Sequence, residues 1–167
     1  MLYKNVLNEA SFKLLKETMM SNSFPMFFRS HNLTKGSDRN NFLFTHLFYN
    51  DEEINSDFIY LLDPILNFIH DKEPETGELI RIKSNLYTNQ HTHVKYGEHK
   101  DDPDLGPKDM IIGLFTVNTC NGGTVVDGGP PFPSVENTLL LFDNVPHYGI
   151  SQTDTQTRIV INFNFRR

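Results

Sequence analysis

The chain has 167 residues, a formal net charge of −6 at neutral pH, 38% hydrophobic and 22% charged residues. Length and balance suit one globular domain with a buried core and argue against a disordered chain. The acidic total, with no cluster of Lys and Arg, disfavours nucleic acid as a partner, and no apolar run approaches the roughly 20 residues that cross a bilayer.

The opening segment, MLYKNVLNEASFKLLKE, lacks the apolar core of a secretory signal. With the single Cys120 no internal disulfide is possible, so a reducing cytoplasm is the expected compartment and the thiol is expected to be an inert packed or turn residue. Asn8 can cap a helix running to about Met20, with Phe12, Leu15 and Met19 on one face. Phe24 to Phe28 reads as a strand and Thr34 to Asn41 as an exposed loop. A second helix is expected from Asn55 or Ser56, turning Phe58, Leu61, Ile65 and Phe68 inward. Pro64 should kink or restart it, with Asp63 as a new cap.

From Gly77 the pattern changes to short strands, expected at 78–87, 94–99, 111–117, 124–126, 138–142 and 158–165. Gly, Pro, Asn and Asp fill the intervening segments DDPDLGPKD, CNGG, DGGPPFPS and DNVPHYGISQTDTQ, which read as turns and loops. Helices first and strands afterwards give an α+β chain, mainly β: an antiparallel sandwich or barrel with helices packed on one face. Fourteen Phe and six Tyr, with no Trp, suit a β-rich core.

Three features carry chemistry. On a strand, His99 and Asp101 would share a face while Lys100 points away, a natural metal-ligating pair. Taken alone, a His-x-Asp is a weak signal. His147 follows the apolar run Thr138 to Phe142 and a Pro-containing turn, at a strand end from which it can point inward. Arg158 then opens a strand whose alternation places Ile159, Ile161, Phe163 and Phe165 on one face and Arg158, Val160, Asn162 and Asn164 on the other. A guanidinium set on so apolar a strand needs an anion, best a carboxylate it can grip bidentately.

The segments Arg81-Ile-Lys-Ser-Asn-Leu-Tyr87, His99-x-Asp101, Gly122-Gly-Thr124, Val135-Glu-Asn137, Leu139-Leu-Leu-Phe142, His147 and Arg158 with Ile161-Asn-Phe163 occur in a telling order. Together they resemble the 2-oxoglutarate and iron(II)-dependent dioxygenase superfamily. The set is most similar to the prolyl 4-hydroxylase-like branch, especially its small bacteriophage-encoded members. The resemblance is strong over 77–167 and looser over the N-terminal third. It implies a double-stranded β-helix (jelly-roll) core over about 77–167, supported by a helical segment over about 1–76, in one oxygenase domain.

It further implies that His99, Asp101 and His147 bind Fe(II) as a facial triad with three positions left open. Arg158 would grip the distal carboxylate of 2-oxoglutarate. Tyr87, on the polar face of its strand, would place its hydroxyl on the co-substrate, and Asn162 would touch the co-substrate or a metal ligand. O₂ completes the reaction, which yields succinate, CO₂ and a hydroxylated C–H bond, with ascorbate as a candidate reductant. Because Asp101 is present, the chain does not look like the related halogenases.

The expected substrate is a peptidyl residue, proline first, with a free amino acid or other small molecule as the alternative and a nucleobase third. Loops over the mouth, Asp102–Asp109 and Thr34–Asn41, would select it. A non-catalytic jelly-roll binding or virion protein is the reading from another class, and the complete residue set argues against it. Elsewhere, His91 and His93 lack a carboxylate at strand spacing and read as a solvated turn. An EF-hand from Asp101 fails because its twelfth position is Ile112. His31, His46 and His70 read as surface or packing residues, and Asp127 to Pro133 as a rigid inter-strand loop.

Overall fold

The computed structural model describes residues 1–30 and 42–167. The expected loop at Thr34–Asn41 and His31 lie outside the described residues. Helix α1 (Glu9–Met19) begins where expected, because the Asn8 side chain accepts from the Ser11 amide at 2.9 Å, and it buries Leu15 and Met19. The second helical segment divides at the expected place. Ser56 caps a 3₁₀ turn at Asp57–Leu62, and Pro64 then opens α2 (Asp63–Lys72). Leu62 is the residue before that helix, and Asp63 makes no side-chain cap. Pro64 stands in the first turn, where its missing N–H has no intrahelical partner to lose.

Among the described residues there are eleven strands: β1 (Leu2–Lys4), β2 (Phe27–Arg29), β3 (Leu43–Asn50), β4 (Glu53–Ile54), β5 (Leu79–Thr88), β6 (Met110–Thr116), β7 (Cys120–Val126), β8 (Phe132–Ser134), β9 (Thr138–Asp143), β10 (His147–Ile150) and β11 (Thr157–Arg166). The major sheet runs β1-β9-β6-β11-β5-β3-β2, with β4 on β3, and the minor sheet runs β10-β7-β8; all pairings are antiparallel. This is a mainly β jelly-roll core.

The major sheet is buried on both faces, which is why β6 is buried at every residue. One face packs Ile82, Phe115, Ile159, Ile161, Phe163 and Phe165 with Leu15 and Met19 of α1 and Ile65 and Ile69 of α2. The other face carries Leu43, Tyr87, Leu114, Leu140 and Val160, with Val126 and Phe132 of the minor sheet packed against them. The alternation expected along β11 is therefore the partition between the helix-covered core and the space between the sheets.

Five differences separate the structure from the sequence reading. The segment 94–99 is not a strand: single bridges pair Lys95 with Ile150 and His99 with His147, with no continuous ladder between them. His99 and Asp101 therefore do not owe their convergence to strand alternation. Two segments read as loops contain strands, β8 within DGGPPFPS and β10 within DNVPHYGISQTDTQ; Pro133 is tolerated because β8 lies at the edge of the minor sheet. Strand β7 starts at Cys120 and takes in CNGG, with an irregularity between Cys120 and Gly123. Strand β3 lies outside the expected strands, and its pairing with β5 shifts register between Leu47 and Tyr49, which breaks the period of two. The strand expected at Phe24 to Phe28 forms only as β2, while Phe24 packs in the core.

Candidate active site

Between the two sheets lies a small cavity of about 30 Å³ lined by Lys83, Asn85, Tyr87, His99, Asp101 and His147, among others. One ligand atom from each of His99, Asp101 and His147 lies within 4.8 Å of the other two. The backbones of His99 and His147 exchange both N–H···O bonds, at 3.0 and 2.9 Å, so the irregular segment is pinned to β10 at the candidate metal position.

Each imidazole is oriented in the same way. His99 Nδ1 lies 2.9 Å from the Gly97 carbonyl and His147 Nδ1 lies 3.0 Å from the Val145 carbonyl. A carbonyl can only accept, so both rings carry the proton on Nδ1 and present the Nε2 lone pair inward. Burial, ahead of the opposing bond to Gly97, holds His99 below the ordinary histidine value. Its ring is thereby kept in the neutral form that ligates a metal.

Asp101 is held from three sides, and its side chain is only 4% exposed. Arg81 Nη2 donates to Oδ1 at 3.2 Å, while the Asn162 and Asn164 amides donate to Oδ2 at 2.9 and 2.8 Å. Burial alone would raise this carboxyl. The facing His147 and Arg81 and the two amide donors overcome it and hold Asp101 below the usual carboxylate range. Two imidazole nitrogens and one carboxylate oxygen fit a divalent ion with open positions.

Arg158 is 1% exposed, and the local sequence is built around it. Its Nε donates to Ser134 Oγ at 2.5 Å and its Nη2 to Thr124 Oγ1 at 2.7 Å, while the guanidinium lies 5.0 Å from the Tyr87 ring centroid. Gly122 clears its stem, since a Cβ there would stand 2.9 Å from Arg158 Cδ and 2.8 Å from the Ile150 carbonyl. Nη1 has no hydrogen-bond partner, and among the described residues no carboxylate forms an ion pair with this arginine. An unpaired buried charge is unfavourable by several kcal/mol, on the order of the desolvation of one ion. A carboxylate placed against Nη1 would satisfy it. Gly149 leaves that space open, as a Cβ there would lie 3.1 Å from Tyr87 Oη and 3.4 Å from Nη1. Burial raises the Tyr87 phenol, so its hydroxyl stays a donor.

The structure thus brings together His99, Asp101 and His147 in one cluster and sets Tyr87 against Arg158. Asn162 is on Asp101 through its amide, while its Oδ1 is buried without a partner, as is Asn85 Oδ1. Sequence reasoning missed Arg81, Asn164, Thr124 and Ser134. The available signal was alternation: Arg81 shares a face of β5 with Asn85 and Tyr87, and Asn164 shares one of β11 with Arg158. Asn144 was also missed. It donates to the carbonyls of Asp102 and Leu105, at 2.6 and 3.1 Å, and so fastens the 102–109 segment beside the site.

Of the other histidines, His46 is buried between Pro25 and Ser56, His70 packs edge-on against Phe165, and His93 meets the Ser151 carbonyl. None joins a metal cluster among the described residues. Among those residues, no helix is long and apolar enough to cross a membrane.

No protein-family model matches the chain, and no curated protein matches it by sequence. Solved structures do. The viral collagen prolyl hydroxylase of Paramecium bursaria Chlorella virus-1, in complex with 2-oxoglutarate, is 13% identical with a TM-score of 0.61, over 99% of this chain and 94% of that one. An oxidoreductase of the 2OG-Fe(II) oxygenase family from Burkholderia pseudomallei is 10% identical with a TM-score of 0.68, over 98% and 82%. A Trichoplax adhaerens prolyl hydroxylase, bound to a peptide fragment of the hypoxia inducible factor oxygen degradation domain, is 11% identical with a TM-score of 0.66, over 99% and 82%. The chain has the double-stranded β-helix fold of the 2-oxoglutarate/Fe(II) oxygenases.

Proposed function

We propose that this chain is a 2-oxoglutarate- and Fe(II)-dependent dioxygenase that hydroxylates a C–H bond, in one domain spanning residues 1–167. The observation that carries the reading is a cavity holding two imidazoles with Nε2 turned inward and a fixed carboxylate, with a buried guanidinium whose Nη1 is unpartnered beside it. His99, Asp101 and His147 would hold the metal. When bound, iron and 2-oxoglutarate supply the oxidising power, using O₂ and releasing succinate and CO₂. Arg158 binds the distal carboxylate of 2-oxoglutarate, and the Tyr87 hydroxyl beside it donates to the same ligand. Arg81, Asn162 and Asn164 position Asp101. Leu114 and Val160 line the cavity with apolar surface and limit water there.

For the substrate we favour a peptidyl residue, proline first. Support comes from the prolyl hydroxylases among the similar structures, one of them holding a peptide. The test has two stages. Anaerobic titration with Fe(II) and then 2-oxoglutarate should produce the weak visible charge-transfer band of the bound pair, and His99→Ala or Asp101→Ala should abolish it. Absence of the band in the unaltered protein would refute the assignment. Proline-rich peptides should then gain the mass of one oxygen atom. Normal uncoupled succinate formation without such a product would remove the proline assignment and leave the reaction class standing.

A further inference from the structure

Lys83 lines the cavity together with the three candidate metal ligands, and the reading above gives it no task. It sits on β5 between Arg81 and Asn85, opposite Leu47 of β3 and Asn162 of β11. Its neighbours Arg81 and Tyr87 are engaged, one by Asp101 and the other against Arg158. Among the described residues, none takes a hydrogen bond or an ion pair from the Lys83 ammonium. An amphipathic lysine with a free choice extends its charge into water. This one lines the cavity beside the candidate metal ligands, where an anion would satisfy it.

The charges around it are out of balance. Among the described residues, Arg81 and Arg29, whose Nε donates to Thr45 Oγ1 at 3.2 Å, act on Lys83 as cations and Asp101 acts on it as an anion. Burial, reinforced by the two arginines against Asp101, draws Lys83 down to about 8, so it still carries its proton at neutral pH. Filling the site does not correct the imbalance. A divalent ion with Asp101, and 2-oxoglutarate with Arg158, together close to neutrality and leave Lys83 without a counter-charge in the cavity. In a chain with a net charge of −6, an unpaired lysine lining a cavity is a specific feature.

We propose that Lys83 is a specificity residue that binds a carboxylate of the substrate, so that this oxygenase acts on an anionic substrate. The inference rests on the dioxygenase reading above. A carboxylate could come from a free amino acid or from an acidic residue flanking the target in a peptide, and the experiment separates the two.

The protein, saturated with Zn(II) and 2-oxoglutarate so that no turnover occurs, is titrated calorimetrically with matched probes. One pair is L-proline and L-prolinamide; the other is a blocked tripeptide Glu-Pro-Gly and its Gln-Pro-Gly counterpart. At least one acidic probe should bind about 10- to 100-fold more tightly than its neutral partner, the value of one charge-assisted contact. Lys83→Met should remove the difference and Lys83→Arg should retain it, with unchanged circular dichroism as the control for folding. A preference in the proline pair assigns a free amino acid; a preference confined to the peptide pair assigns a flanking acidic residue. No preference in the unaltered protein overturns the proposal, as does a preference that survives in Lys83→Met. So does a loss of 2-oxoglutarate binding in Lys83→Met as large as that in Arg158→Met, since the lysine would then serve the co-substrate. Failure of the unaltered protein to take up Zn(II) and 2-oxoglutarate would sink the dioxygenase reading itself.

Discussion

Replacing Arg158 by Met keeps most of the buried volume and removes the charge, the two bonds to Ser134 and Thr124, and the unpartnered Nη1. If Nη1 awaits a carboxylate, the variant loses a buried charge-assisted contact worth about 1.5–3 kcal/mol per hydrogen bond. With two such bonds lost, the 2-oxoglutarate requirement should rise by at least about 100-fold. Thermal melting of the Zn(II)-loaded protein reads this directly. At a ligand concentration 100 times Kd, binding to the native state adds about 2.7 kcal/mol, or roughly 5–10 °C in Tm for a chain of this size. The same concentration would only half-saturate Arg158→Met, adding about 0.4 kcal/mol and moving Tm by about 1–2 °C. A full ligand-induced shift in a folded Arg158→Met protein would refute the assignment, because the clamp would have to lie elsewhere.

Two further outcomes follow from local geometry. Gly149→Ala sets a methyl 3.1 Å from Tyr87 Oη and 3.4 Å from Arg158 Nη1; overpacking of this kind is unfavourable by about 1–3 kcal/mol. It should therefore weaken 2-oxoglutarate binding by roughly 5- to 100-fold in calorimetry while leaving Zn(II) affinity intact, and equal losses of both would contradict it. His46, between the Pro25 carbonyl and Ser56 Oγ, is lowered by burial against the opposing bond to Pro25. A lowered folded-state value means the stabilising contribution is present above the unfolded value of about 6.5 and is lost as pH falls through the folded value. Melts between pH 7.5 and 5 should show a steeper acid loss in the unaltered protein than in His46→Phe; parallel curves would count against it.

What was legible depended on period. The last strand declared both of its faces because its alternation runs unbroken from Arg158 to Phe165, and the structure buries those faces in different cores. Likewise Asn8 and Pro64 announced helix starts through capping chemistry and a fixed φ, both local properties. Strand β3 was hidden because its irregularity at Leu47 and Tyr49 interrupts the pattern. The pairing of His99 with His147 depends on contacts 48 positions apart in sequence, which no local window contains. Lys83 was legible as a residue on the polar face of β5 but not as a charge without a partner, because that property belongs to the assembled neighbourhood.

The segment carrying His99 and Asp101 borrows its order. Between residues 94 and 101 there is no ladder, only two bridges to β10, while the Asp101 carboxylate is fastened through side chains to β5 and β11. The gradient of local stability across the molecule should therefore be steep at this point, with a continuous sheet beside a strip held by separate backbone bonds at Val94, Tyr96 and His99. A metal ion joining His99 and Asp101 to His147 would act as a cross-link between the two. Loading it would extend the cooperative unit of the sheet across the rim of the cavity, so that the surface a substrate meets is completed by the same event that arms the site.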